Sequence, residues 1–455
     1  MSVLSILIFS FIFLHALSKE IVRQVAKVRL DGRFIMSMNF SIVYGLCPLA
    51  IFFFKDIYGD NINIYGLNED SQIVLEIAIA VLISYFTCII FYGSAKRSRY
   101  FSHPKYQVGP IARTLNLRIV YGVMLALGAL SLYAYTYQYG GYFRTVELTG
   151  LIRQGLQDDY LETEGSFIFI QNLTTMAFLA AVIAMAFVAA EGRRYIPLLI
   201  AAAILSIMVS LIWGSRGQVL IFALMLIFTW MTTRYPRGVG LRPGMVLFFA
   251  LLALMADFFV GVGKDITASL YQDDLTIGDV VSNYKYVPLA PVVGYYDEFI
   301  ASLVGAFSYS GLDYSYYYDS FAIPLYLVPG RLFGIEKPET IVVLNTYLVH
   351  GVWEQMTPPG LVGYGYYSLG FPGVVISSGI YAFVLGLLDR AKEIRTFDKS
   401  VFPVIYAPFV LYWGIYYFQG DPKNLTLSMT PTVILILALW FLSLSKRHHV
   451  RPAKA

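Results

Sequence analysis

Long apolar runs, each close to the length of a membrane-spanning helix, recur along the chain between short polar stretches. Two of these runs, 3–17 and 218–232, are shorter than the roughly 20 residues that a spanning helix needs, so we expect those helices to extend into flanking residues. The pattern predicts an all-α, polytopic integral membrane protein of about 11–12 transmembrane helices. The eleven predicted spans are 3–17, 34–54, 73–92, 118–138, 167–189, 196–213, 218–232, 244–262, 372–388, 401–418 and 428–445.

Composition and charge agree with this prediction and add an orientation. The chain is 58% hydrophobic and 14% charged, whereas soluble proteins are about 25% charged. Basic stretches such as SAKRSR, EGRRY and DRAKEIRTFDK follow alternate spans, and LQDDYLETEG on the other side is acidic. Cytoplasmic loops are the ones enriched in Lys and Arg, so the N-terminus is predicted outside. The basic runs are short and follow spans, and no nucleic-acid partner is expected.

The spans divide the chain into four predicted parts. Residues 1–262 form an N-terminal membrane domain of about eight spans, and 372–445 form the C-terminal spans. Residues 446–455 form a basic cytoplasmic tail. Between the spans, 263–371 is a large outside segment rich in tyrosine and interrupted by Pro and Gly, for which we expect an ordered structure with room for re-entrant helices.

A few cationic side chains fall outside, against the general trend. Arg216 lies in Trp213-Gly-Ser-Arg-Gly217 between two spans, where guanidinium donors would join the free N–H groups of a helix start to bind a diphosphate. The alternative for Arg216 is an arginine that reaches lipid phosphate. Arg331 follows a Pro-Gly turn and is a second candidate for this binding. The alternative is that Arg331 forms an ion pair with Glu336 or Glu339 in the same loop.

Two further arginines follow the fourth span. Arg144 and Arg153 precede an acidic stretch, so they either assist in binding an anionic substrate or pair with Asp158 and Asp159. No spacing typical of metal ligands occurs, and both cysteines lie in apolar segments, so neither a metal nor another cofactor is expected.

His350 is the one histidine predicted outside, and its imidazole could accept a proton from a sugar hydroxyl near neutral pH. A hydrogen-bonding loop histidine is the alternative reading. Glu354 and Asp319 are the other candidate bases, and Glu354 is also a candidate substrate ligand.

Tyrosines near His350 could line a glycan site, since their rings stack on sugars and their hydroxyls form hydrogen bonds. A belt of interfacial tyrosines is the alternative. The stretch from Thr357 to Gly373 is rich in Gly and Tyr and is predicted to enter the next span through a re-entrant or half-helix. The tyrosines proposed to bind substrate are Tyr347, Tyr364, Tyr366 and Tyr367.

These features resemble the O-antigen polymerase (Wzy) family and the related O-antigen ligases and enterobacterial common antigen polymerases. The resemblance rests on the Gly-Ser-Arg-Gly turn at Arg216 and on the long outside segment with Pro-Gly-Arg331, the stretch to His350 and the Gly/Tyr stretch. Arg144 and Gly155 also fit an Arg-x10-Gly pattern of the family, whereas His350 and Gly360 are one residue short of its His-x10-Gly spacing.

The resemblance implies a GT-C-like fold in the bacterial inner membrane with an active site facing the periplasm. It implies a metal-independent polymerase that transfers a glycan from undecaprenyl diphosphate to another lipid-linked repeat unit, with Arg216 and Arg331 binding the diphosphate. A chain-length regulator in the same membrane is the protein partner that it suggests. A ligase that uses another acceptor is the first alternative. A flippase is the second, although the predicted spans carry few charges beyond Glu76 and Asp257.

Overall fold

The protein is an assembly of helices. A computed structural model describes residues 2–58, 71–98, 114–154, 166–213, 216–236, 238–240, 290–308, 314–323, 325, 340–351, 357–394 and 401–447. About 88% of this described part is helical, and it contains no strand. An isolated antiparallel bridge between Val28 and Val239 joins two of the basic loops. The all-α prediction is therefore confirmed.

Sixteen α-helices carry the described fold. They are α1 Val3–Ala26, α2 Gly32–Ser41, α3 Cys47–Tyr58, α4 Ser71–Arg97, α5 Thr114–Tyr137, α6 Tyr142–Gln154, α7 Ser166–Leu173, α8 Met176–Glu191, α9 Ile196–Trp213, α10 Arg216–Arg234, α11 Ala290–Ser308, α12 Tyr318–Phe321, α13 Ile341–His350, α14 Gly360–Ile394, α15 Phe402–Tyr412 and α16 Pro422–Arg447. A π-helical turn, Ile42–Leu46, joins α2 to α3, and another, Trp413–Tyr417, extends α15.

Nine helices in the described residues are long and apolar enough to cross a membrane, so the protein is a multi-pass membrane protein. Nine of the eleven predicted spans coincide with these helices, and the predicted span 401–418 corresponds to α15 with its π-helical turn. The predicted span 244–262 lies outside the described residues.

The stretch predicted to enter the span at 372–388 through a re-entrant or half-helix is helical, and it belongs with that span to α14, which begins at Gly360. α14 is interrupted at Leu369 and Gly370, two residues before the predicted span begins. Proline is tolerated in the first turn of a helix, which is where Pro372 falls after that interruption.

Residues that the charge pattern assigned to one side of the membrane meet at one end of the helix assembly, which we call the basic end. It holds the C-terminal ends of α1, α4, α10 and α14. α4 and α14 lie parallel there, with Ser84 bonded to Ser378 and Tyr92 bonded to Asp389 farther along. We call the other end, where α10, α14 and α16 begin, the opposite end.

A buried carboxylate holds four segments together at the basic end. Asp389 of α14 accepts hydrogen bonds from the backbone N–H groups of Gly32 and Arg33 at 2.9 and 3.2 Å. It also accepts bonds from the hydroxyls of Tyr92 in α4 and Tyr406 in α15, both at 2.5 Å. A carboxylate at a helix start meets free N–H groups and the positive end of the helix dipole, so Asp389 fixes the start of α2.

A second set of polar contacts joins α1 to the same place. Arg23 donates to Glu20, three residues earlier in α1, and to Asp31 at 2.7 Å. Asp31 in turn caps α2 through the N–H of Phe34 at 3.0 Å. Lys392 of α14 donates to the carbonyl of Leu30. Charged groups buried in this way are stabilising only when each has partners, and these do.

Asp389→Ala should lower the free energy of unfolding by on the order of 3 kcal/mol, because it leaves four buried donors without their acceptor. Glu393→Ala is the matched control, since the ion pair of Glu393 with Lys96 is partly exposed and such pairs contribute below about 1 kcal/mol. Thermal unfolding of both variants in nanodiscs measures the difference. Equal midpoints for the two variants would show that Asp389 does not hold the basic end.

Candidate functional site

The first part of α14 is a short half-helix that starts inside the helix assembly. It runs from Gly360 to Ser368 and stops at Leu369–Gly370, where the backbone leaves helical angles. Beyond the break, Gly373 packs directly on Gly365: a Cβ added to Gly365 would lie 2.7 Å from the carbonyl oxygen of Gly373. Residues eight apart in a continuous helix are about 12 Å apart, so the chain folds back on itself here.

Residues from elsewhere in the chain form hydrogen bonds with backbone groups at both ends of the half-helix. The N–H of Gly360 donates to the carbonyl of Gln419 at 2.8 Å, and the N–H of Val362 donates to the Tyr44 hydroxyl at 3.3 Å. The N–H groups of Ser315 and Tyr316 bond the carbonyls of Tyr367 and Ser368. Tyr44 lies twelve residues beyond the start of α2, or about 18 Å along a helix. The half-helix therefore begins about that far from the basic end, where α2 starts.

Both π-helical turns flank the start of the half-helix. One carries Tyr44, and the other carries Tyr416, whose hydroxyl accepts a bond from the side-chain amide of Gln218 at 2.8 Å. π-Helical turns occur often at functional sites because the extra residue redirects a side chain. Gln218 is buried, and its Oε1 has no partner in the described part of the chain.

His350 belongs to a hydrogen-bonded network beside the half-helix. Its Nε2 lies 3.0 Å from the hydroxyl of Thr357. Asn345, in the same helix α13, donates to the Thr357 carbonyl at 2.7 Å and to Ser302 of α11 at 2.9 Å. Its Oδ1 accepts a bond from the Tyr367 hydroxyl at 3.0 Å. His350, half-buried, is thus linked through Thr357 and Asn345 to the half-helix.

Asp319 lies on the other side of the same half-helix. Its Oδ1 accepts a bond from the Tyr364 hydroxyl at 3.2 Å and from the N–H of Ser320 at 3.1 Å. Its Oδ2 has no partner among the described residues, although the carboxyl is buried. Burial raises the pKa of Asp319, while the Tyr364 hydroxyl and nearby backbone N–H groups, including that of Ile341, oppose the shift.

Strained backbone precedes this carboxyl. Tyr316 and Tyr317 have φ of 49° and 59°, which places two consecutive non-glycine residues in the left-handed region. The Tyr317 hydroxyl is fixed by the carbonyl of Gly373 and the Ser377 hydroxyl at 2.6 and 2.8 Å. These contacts hold the strained turn against α14 and position the short helix α12 that carries Asp319.

The start of α10 reaches the half-helix through a short chain of contacts. Arg216 is the first residue of α10, two residues before Gln218. Gln218 bonds Tyr416, and the turn that follows Tyr416 contains Gln419, the partner of Gly360. The structure thus brings the backbone of Arg216, the half-helix and the start of α16 to the same region of the opposite end.

The helix with the other two predicted arginines packs on the end of α9. The Tyr142 hydroxyl bonds the carbonyl of Met208 at 3.1 Å, and Thr149 approaches the carbonyl of Ile212 at 3.4 Å. Arg144 is exposed and pairs with Glu147 at 3.1 Å, and its predicted partners Asp158 and Asp159 lie outside the described residues. Arg153 lies one turn beyond Thr149 in α6.

The predicted tyrosines differ in their surroundings. Tyr364 and Tyr367 are buried and bonded to protein groups. Tyr366 stacks on Phe307, with ring centroids 3.8 Å apart, and Tyr347 is exposed. The other predicted positions, Arg331 and Glu354 and the side chains of Arg216 and Arg153, lie outside what the structure describes.

Sequence reasoning did not identify Asn345 or Thr357, which link His350 to Tyr367. The available signal was an Asn-Thr pair within the apolar stretch IVVLNTYLVH, because polar residues in such a stretch need buried partners. Gln218 and Tyr416 gave no comparable signal. Their pairing depends on the contact between α10 and the turn after α15.

No family model, no curated protein and no solved structure matches this chain.

Gly365→Ala should separate the two arms of α14, because its new methyl group would overlap the backbone at Gly373 and Val374. The expected loss of stability is about 1–3 kcal/mol, as for other overpacked sites. Gly93→Ala is the matched control, since a Cβ there meets nothing within 4 Å. Thermal unfolding of both variants measures the effect. A Gly365→Ala protein as stable as Gly93→Ala would contradict the close packing of the two arms.

Proposed function

We propose that this protein is a polysaccharide polymerase, a membrane glycosyltransferase that joins lipid-diphosphate-linked repeat units. The donor is an oligosaccharide on undecaprenyl diphosphate, and the acceptor is the non-reducing end of a second lipid-linked unit. The product belongs to the O-antigen class of surface polysaccharide. The reaction takes place at the periplasmic face of the bacterial inner membrane.

The observation that carries the proposal is the meeting of three helix starts at the opposite end. α10 starts at Arg216, the half-helix at Gly360 and α16 at Pro422, and the contacts through Gln218, Tyr416 and Gln419 join them. Each helix start carries the positive end of a helix dipole, which favours a phosphate group, although the N–H groups of Gly360, Val362 and Asn424 already have partners in the protein. Arg216 at one of these starts adds a permanent positive charge.

The chemistry that such a site would supply is stabilisation of the leaving group. When the bond between the sugar and the diphosphate breaks, negative charge develops on the diphosphate oxygen. Fixed donors directed at this oxygen lower the barrier because they need no reorganisation during the reaction. Arg216 and Arg331 are assigned to this role, with Arg144 or Arg153 assisting. The acceptor hydroxyl requires a base, for which the candidates are His350, Asp319 and Glu354.

An in-vitro reaction tests the proposal. Purified protein in nanodiscs is incubated, in EDTA, with lipid-linked repeat units extracted from the host strain lacking this gene. A ladder of products on a gel is expected. Unchanged units would contradict the polymerase assignment. Transfer only after lipid A core is added would indicate a ligase instead, and binding without any transfer would favour a flippase.

Arg216→Ala should reduce the rate of chain extension by about 100-fold or more, the usual cost of removing one donor to a developing negative charge. Arg216→Lys should recover only part of the rate, since an ammonium lacks the planar fork of donors. Arg234→Ala is the matched control, because Arg234 lies exposed at the far end of the same helix. A full-rate ladder from Arg216→Ala would show that Arg216 does not bind the diphosphate.

A further inference from the structure

Two of the candidate bases lie too far apart to act on the same proton. His350 is the last residue of α13 and is bonded to Thr357. Asp319 lies near the N–H of Ile341, the first residue of that helix. Nine residues of helix separate the two ends, or roughly 14 Å along the axis. One acceptor hydroxyl can therefore contact only one of them.

The hydrogen bonds of the two side chains differ in a way that bears on catalysis. Among the described residues, His350 bonds Thr357, and that bond belongs to the network that holds the 357–360 turn against α13. Asp319 has one oxygen bonded to Tyr364 and Ser320, whereas the other has no partner in the described residues. An acceptor oxygen in a buried carboxylate without a partner is costly unless a ligand supplies the donor.

The surroundings of Asp319 also suit a base. The titratable groups that face it are Tyr364 of the half-helix, Tyr417 of the second π-helical turn and Asp421 before α16. Among these described groups there is no cation that would neutralise the carboxylate. The strained turn at Tyr316 and Tyr317 fixes the position of Asp319. Backbone strain of this kind is frequent at functional sites.

We propose that Asp319 is the catalytic base of the transfer, and that His350 is a positioning residue for the turn at Thr357. The acceptor hydroxyl donates its hydrogen bond to Oδ2 of Asp319, the atom for which the described residues supply no partner. This inference rests on the proposed polymerase function and adds the identity of the base.

The step balances without a further reactant. The acceptor oxygen forms a bond to the anomeric carbon of the donor while the bond from that carbon to the diphosphate oxygen breaks. The electron pair of the broken bond leaves with undecaprenyl diphosphate, and the hydroxyl proton passes to Oδ2 of Asp319. Asp319 then releases the proton to water before the next transfer. A base must be unprotonated to act, so the rate falls as the pH drops through its pKa.

Asp319→Asn keeps the size of the side chain and removes the basic oxygen, so turnover should fall by about 100-fold or more. Binding of the extracted lipid-linked units should not change. Glu393→Gln is the matched control, because Glu393 is an acid at the basic end, where it forms a partly exposed ion pair with Lys96. Glu393→Gln should therefore keep its activity.

The pH dependence of kcat/KM separates a base from a structural group. The Tyr364 hydroxyl lowers the pKa of Asp319 by bonding its charged form. Tyr364→Phe should therefore move the acid limb of the profile to higher pH. His350→Gln should leave the position of that limb unchanged.

Each result has a defined meaning. Full turnover by Asp319→Asn, with wild-type protein making the ladder, would overturn the role of Asp319 and leave the polymerase function standing. If Asp319→Asn fails to fold, an unmoved acid limb in Tyr364→Phe would overturn it instead. A limb that disappears in His350→Gln would assign the base to His350. A wild-type protein that makes no product would overturn both proposals.

Discussion

Every backbone N–H and C=O at membrane depth needs a partner within the protein, because lipid offers none. α14 is where this constraint is hardest to meet, since its helix stops at Leu369–Gly370 and starts again. The partners come from distant parts of the chain: Tyr44, the carbonyl of Gln419 and the backbone of 315–316. The interrupted helix thus exists only because three separate segments assemble around it.

The buried carboxylates at the two ends of the helix assembly differ in their hydrogen bonds. Asp389, at the basic end, accepts four hydrogen bonds and joins α2, α4, α14 and α15. Asp319, at the opposite end, keeps an oxygen without a partner among the described residues. A fully bonded carboxylate fixes the helices around it, whereas one with a remaining lone pair has affinity for a donor. The first arrangement suits an anchor and the second suits a ligand site.

In the proposed transfer, the half-helix separates two tasks. Its start, with Arg216 and the helix ends nearby, is suited to the negative charge of a leaving diphosphate. Asp319 contacts the half-helix one turn farther along, through Tyr364.

The sequence by itself determined the class of fold, most of the spans and their alternation across the membrane. Apolar length and loop charge are local properties that do not depend on packing, so 3–17 or 196–213 could be recognised without a structure. The resemblance drew attention to His350 and the Gly/Tyr stretch. Only the tertiary structure decided that Gly365 packs on Gly373 and that Asn345 bonds Tyr367. It also decided that Oδ2 of Asp319 has no partner among the described residues. Hydrogen bonds between residues far apart in the chain leave no periodic trace in the sequence, because they depend on how the helices assemble.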